Sequence, residues 1–106
     1  MIIYNVTVNV EKSINDQWLL WIKEHINKVL ATRKFVEAKL SKVLVEDDLG
    51  SSTYSIQYKA RSRDELDDYY KNYAQALRQE SIAKFADKAV AFRTELEIID
   101  EYFATK

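Results

Sequence analysis

Residues 1–10 read Met-Ile-Ile-Tyr-Asn-Val-Thr-Val-Asn-Val. From Tyr4 the stretch alternates, with Tyr4, Val6, Val8 and Val10 on one side and Asn5, Thr7 and Asn9 on the other. Period two with β-branched side chains predicts a half-buried strand, apolar on one face and polar on the other. Two later stretches divide in the same way. Residues 35–46 set Val36, Ala38, Leu40 and Leu44 against Glu37, Lys39 and Ser41, with Val43 and Val45 turning the polar side apolar at its end. Residues 53–60 set Tyr54, Ile56 and Tyr58 against Ser55, Gln57 and Lys59. The segment between them, Glu46 to Ser52, has a turn composition around Gly50, which is expected at positive φ, so the pair reads as a hairpin. A last strand is expected over 90–99, with Val90, Phe92, Leu96 and Ile98 on one face and Ala91, Arg93, Glu95 and Glu97 on the other. Its larger apolar side chains, Phe92 and Leu96, are assigned to the core face, and Arg93 and Glu95 to the open face.

Two helical patterns separate these strands. In residues 14–31, steps of about 100° gather Trp18, Leu19, Trp21, Ile22, His25, Ile26, Val29 and Leu30 on an arc covering half the circumference. Only Leu20 falls outside it. Ser13 is the expected N-cap, and a break near His25 is allowed because no cap residue marks the end. The second helix is expected over 63–88. Ser62 and Glu65 form a capping box at its start. Leu66, Tyr69, Tyr70, Tyr73 and Leu77 make one stripe, and Ile82, Phe85, Ala86 and Ala89 make another, rotated by about a third of a turn. A straight helix cannot bury both, which predicts a bend or break around residues 78–81.

Strand, helix, strand, strand, helix, strand is the order of a ferredoxin-like α+β sandwich. In that fold a four-stranded antiparallel sheet carries both helices on one face. The chain of 106 residues reads as a single domain, with 100–106 as a C-terminal tail. Hydrophobic residues make up 47%, enough for a core without staples. There is no cysteine, which excludes disulfides, thiolate metal sites and a cysteine nucleophile. A net charge of −1 gives no overall attraction for nucleic acid or anionic membrane. No signal peptide and no spanning segment are expected, so a cytoplasmic location is the default.

Four stretches carry a resemblance. Ile2-Ile3-Tyr4-Asn5-Val6-Thr7, Trp18-Leu19-Leu20-Trp21 with His25-Ile26, Tyr54-Ser55-Ile56-Gln57-Tyr58, and Ala76-Leu77-Arg78-Gln79-Glu80 with Val90-Ala91-Phe92-Arg93-Thr94 are similar to a family of small bacterial proteins known only as a domain of unknown function. That family brings no activity with it. The layout also resembles the dimeric α+β barrel superfamily, which implies two ferredoxin-like sheets paired through their uncovered faces. The superfamily spans cofactor-free monooxygenases, small isomerases, haem-degrading enzymes and non-catalytic binding proteins, so the fold does not choose a function.

Five residues are candidates for a ligand site: Trp18, Trp21, His25, Arg78 and Arg93. Trp21 and His25 occupy the flank of an apolar arc wider than sheet packing requires. His25 could act as a general base or a haem ligand in a pocket between helix and sheet, against the plainer reading of a core-edge histidine bonded to backbone. Arg78 and Arg93 could clamp a carboxylate, against the plainer reading of ion pairs with Glu80, Glu95 or Glu97. The tyrosines Tyr4, Tyr54, Tyr58, Tyr69, Tyr70 and Tyr73 could line a pocket but fit core packing with a wet end. The acidic cluster Asp64, Glu65, Asp67 and Asp68 suits a helix start. Residues 46–48 lack the ligand spacing of a calcium loop. A single glycine rules out a phosphate-cradling loop, and no cofactor or metal is expected. The expected partners are a second copy of the chain and a small-molecule ligand, with no nucleic acid and no membrane. The homodimer expectation rests on the open face, where Asn5, Thr7, Ser55 and Gln57 are short and neutral. Val43, Val45, Tyr102 and Phe103 add apolar groups with no place in a monomer core. The leading reading is a non-catalytic homodimeric binding module for a small molecule or protein, and the alternative is a cofactor-free monooxygenase or isomerase.

Overall fold

The structure is a computed structural model that describes residues 1–45 and 49–105. Strand β1 spans Ile2–Val10, helix α1 Asn15–Ala31, β2 Glu37–Lys42 and β3 Ser52–Ala60. A second helical layer follows as α2 Arg63–Tyr69, a π-helical turn Tyr70–Ala74 and α3 Gln75–Phe85, before β4 Ala89–Glu97. The sheet order is β2-β3-β1-β4 with every neighbouring pair antiparallel. This is the ferredoxin-like arrangement, with β1 inside the sheet as its alternation requires.

Burial follows that alternation. Tyr4, Val6, Val8 and Val10 are buried, as are Tyr54, Ile56, Tyr58 and Ala60 of β3, while the residues between them are not. Trp18 of α1 stacks on Tyr54 at 4.9 Å, and Tyr69 of α2 packs on Tyr4 at 5.8 Å. Both helices therefore cover the same sheet face. Phe35 closes one end, 4.8 Å from Tyr69 and 5.2 Å from Tyr58. Leu20, the residue outside the apolar arc, is 71% exposed. Among the described residues, no helix is long and apolar enough to cross a membrane.

The local signals act as expected at several points. The Ser62 hydroxyl accepts a hydrogen bond from the Glu65 backbone N–H at 3.2 Å, which caps α2. Gly50 has φ 78°. Other expectations fail. Ser13 does not cap α1: it sits in a short 3-10 turn, Lys12–Ile14, and α1 begins at Asn15, whose side chain instead accepts from the Tyr54 hydroxyl at 2.6 Å. Helix α1 runs unbroken through His25. Strand β2 is shorter than expected, starting at Glu37 because Phe35 turns into the core, and ending at Lys42. The expected strand end at Glu46 and part of the turn, residues 46–48, lie outside the described residues.

Two corrections bear on the site. The first concerns β4. Its pairing with β1 sets Arg93 opposite Val6, Ala91 opposite Val8 and Glu95 opposite Tyr4. Side chains directly opposed across strands share a face, so Arg93 and Glu95 lie on the helix-covered face. Phe92, opposite Thr7, and Leu96, opposite Ile3, lie on the open face, where they are 63% and 48% exposed. A strand's faces follow from its pairing, and a one-residue change of parity exchanges them. The second concerns the helical layer. Its irregularity lies at Tyr70–Ala74, not at residues 78–81. A π turn carries one extra residue, which rotates all that follows by about 100°. That is the size of the phase slip read in the sequence. After it, Ala74 and Phe85 are buried and Arg78 and Ser81 turn inward, while Ile82 and Ala86 are exposed.

Candidate functional site

Between α1, α3 and the sheet lies a cavity of about 50 Å³. Its floor is Tyr4, Val6 and Val8 of β1, Ile56 and Tyr58 of β3, and Ala91 and Arg93 of β4. Its roof is Trp18, Trp21, Ile22, His25 and Val29 of α1, Tyr69 of α2, and Arg78 and Ser81 of α3. All five residues singled out in the sequence, Trp18, Trp21, His25, Arg78 and Arg93, line this one cavity. Ser81 was not singled out. The spacing 74, 78, 81, 85, read as one helical stripe after a one-residue slip, would have found it.

The five differ in what they do there. Trp18 is 1% exposed and belongs to the core, presenting one edge to the cavity. Trp21 stacks on His25 at 4.5 Å, and its other neighbour, Phe85, meets it edge-on at 5.3 Å. Burial pushes the His25 imidazole below its ordinary value, against the opposing pull of Glu80, with Lys28 adding to the depression. The imidazole is therefore neutral at pH 7, and its Nδ1 is buried with no hydrogen-bond partner. Arg78 donates from Nη2 to the Tyr4 hydroxyl at 3.0 Å and lies 5.8 Å from the Tyr70 ring centroid. Its Nε is buried and also has no partner. Arg93 reaches the cavity from the exposed edge strand.

The carboxylates that could have neutralised these guanidiniums are engaged elsewhere. Glu80 pairs with Lys28 at 2.7 Å. Glu95 takes a two-pronged bond from Arg63, at 2.8 and 2.9 Å, and one from the Tyr70 hydroxyl. That partnership, the Arg63 bonds first, holds the Glu95 carboxyl at about 2. Among the described residues neither Arg78 nor Arg93 forms an ion pair. Both act on one phenol: burial raises Tyr69, and the two guanidiniums oppose that rise. The cavity is thus cationic at the Tyr4 end. At the Val8 end its walls are Val8, Ala91 and Ile22, without charge. Tyr58, Tyr69 and Tyr70 form a core cluster around Tyr4, whose ring centroid lies 5.9 Å from that of Tyr58 and 5.5 Å from that of Tyr70.

The open sheet face is a different surface. Asn5 donates to Thr7 and Thr94, each at 3.2 Å, and accepts from Ser55 at 2.7 Å. Asn9 donates to Ser51 at 3.1 Å and Thr53 at 3.2 Å. Beside these side-chain bonds stand the exposed apolar residues Val90, Phe92 and Leu96, with Tyr102 and Phe103 exposed in the tail.

Comparison with known proteins places the chain. A family model described as a domain of unknown function, DUF4286, matches residues 1–99, and the chain belongs to that family. None of the curated proteins matches it. Among solved structures it is similar to a de novo designed protein with a ferredoxin fold, at TM-score 0.51 and 16% identity, covering 100% of this chain and 94% of that one. It is also similar to a dimeric ferredoxin-like protein from an uncultured marine organism, at TM-score 0.50 and 10% identity, covering 95% and 98%. At these identities the likeness is one of fold.

Proposed function

For a member of the DUF4286 family with this fold, we propose a non-catalytic homodimer that pairs its sheets through their open faces and binds a small molecule in the cavity behind each sheet. The observation that carries this reading is the two-sided use of β4. One side sends Arg93 to the cavity and the other exposes Val90, Phe92 and Leu96. Asn5, Thr7, Asn9, Thr53, Ser55 and Thr94 of the open face already hydrogen-bond to one another. A partner that excludes water from them therefore strips few unsatisfied groups, while the apolar residues gain about 25 cal/mol per Å² covered. The sheet face is roughly 19 by 30 Å from strand spacing and rise, somewhat below the ~800 Å² per partner of a standard interface. A dimeric ferredoxin-like protein among the similar structures supports the pairing.

One observation favours a second reading, a cofactor-free enzyme. His25 is held neutral beside the cavity with Nδ1 unpartnered, as a general base would be. Against it, no carboxylate or carbonyl hydrogen bond orients the imidazole among the described residues, so the orienting partner that a catalytic base needs is lacking. Native mass spectrometry of freshly purified protein, compared with its denatured mass, tests the proposal. A dimer with one or two extra small-molecule masses is expected. A bare monomer would overturn it.

A further inference from the structure

We infer that the cavity takes a small organic monocarboxylate, its carboxylate held between Arg78 and Arg93 and its apolar end lying along Val8, Ala91 and Ile22. The inference rests on the proposed ligand role of this cavity and adds the chemical class. Three features of the site carry it. Two guanidiniums line the cavity without a carboxylate partner among the described residues, and the Nε of Arg78 is a buried donor without an acceptor. A guanidinium offers two parallel N–H groups, which match the two oxygens of a carboxylate. A buried donor left unpaired destabilises the fold, and an incoming anion relieves that cost. The Tyr4 hydroxyl, having accepted from Arg78, keeps its own proton to donate.

The shape of the charge selects the class. The cationic donors are Arg78, bonded to Tyr4, and Arg93, opposite Val6, and the walls at Val8, Ala91 and Ile22 carry no polar side-chain group. A phosphate or sulfate presents oxygens on every side and would bury some against Val8 and Ile22. A carboxylate carries its charge at one end and suits a cavity polarised along β1. Size limits the rest of the molecule. At roughly 10–15 Å³ per water position, a cavity of about 50 Å³ takes about four water-sized groups. That is a carboxylate with a short chain.

The π turn makes the site possible. Arg78 and Ser81 lie eight and eleven residues after Tyr70, and only the extra residue in Tyr70–Ala74 turns them toward the sheet. Without it the same helix would present Leu77 and Glu80 there.

The test is an NMR titration of labelled full-length protein with sodium butyrate, matched against butyramide and inorganic phosphate. The readouts are the Nε–Hε signals of Arg78 and Arg93 and the indole N–H of Trp21. Butyrate is expected to shift all three saturably and to raise the titration midpoint of His25, since a bound anion favours the imidazolium. Butyramide and phosphate are expected to leave them unmoved. Arg93→Gln, at an exposed edge position, should weaken butyrate at least tenfold with an otherwise unchanged spectrum, and Arg78→Lys should do the same by losing the planar fork. Equal response to phosphate overturns the carboxylate class, and equal response to butyramide overturns the clamp. If butyrate has no effect while native mass spectrometry finds another ligand, the class fails and the binding role stands. If neither method finds a ligand, both fail.

Discussion

His25 is a residue whose environment can be read out by pH. Well above pH 6.5, its ordinary value, the imidazole is neutral in the folded and unfolded chain alike. Below that, the unfolded chain takes up the proton while burial holds the folded pKa lower, so the unfolded state binds more protons and stability falls with falling pH. Glu80 of α3 opposes the effect, and Lys28 of α1 adds to it. Urea midpoints measured between pH 7.5 and 5.5 are expected to decline in the native protein. The decline should flatten in His25→Gln, and an unaltered slope in that variant would contradict the account. The same residue shows what a sequence can reveal. His25, Trp21 and Trp18 were found as site candidates because a helix exposes its apolar width through spacing alone. The state of their charges was not legible. Which carboxylate neutralises which cation depends on contacts across the fold: Glu80 went to Lys28 and Glu95 to Arg63, leaving Arg78 and Arg93 without an ion pair among the described residues.

At the scale of the element, the π turn and β4 carry most of what sequence reading mistook. The phase slip in the second helix was visible in its stripes, and its size matched one inserted residue. Its place was misread because Tyr73 was counted as inward. Tyrosine is apolar along its ring and polar at its tip, and Tyr73 is in fact exposed. Inserting one alanine after Asn72, an exposed residue within the turn, should advance the helical phase by a further residue, about 100°. That rotates Phe85 and Ala74 out of the core. The cost is expected at about 3 kcal/mol or more, the scale of losing a buried aromatic, measured by urea denaturation. A variant of native stability would show that the phase set by the turn is incidental. In β4 the error had another cause. Large apolar residues on one parity signal a buried face, and here Phe92 and Leu96 lie on the face that the helices leave open. Residues of one strand cannot say which of two apolar layers they meet. The register with β1 can, through Arg93 opposite Val6.

For the whole molecule, the division between a helix-covered face and an open face was legible from the alternation of Tyr4 to Val10, and with it the fold. What covers the open face is the proposal on which the functional reading turns. A charge at Phe92 probes it without disturbing the monomer, because that side chain is 63% exposed in the single chain. Placed at the centre of an interface, an unpaired aspartate costs about 3 kcal/mol, or roughly a hundredfold in dissociation constant. Sedimentation equilibrium at tens of micromolar is the direct measurement. The native protein is expected at twice the chain mass of 12.5 kDa, and folded Phe92→Asp at 12.5 kDa. A native protein that sediments at 12.5 kDa, or a Phe92→Asp variant that stays dimeric, would contradict pairing through the open sheet face.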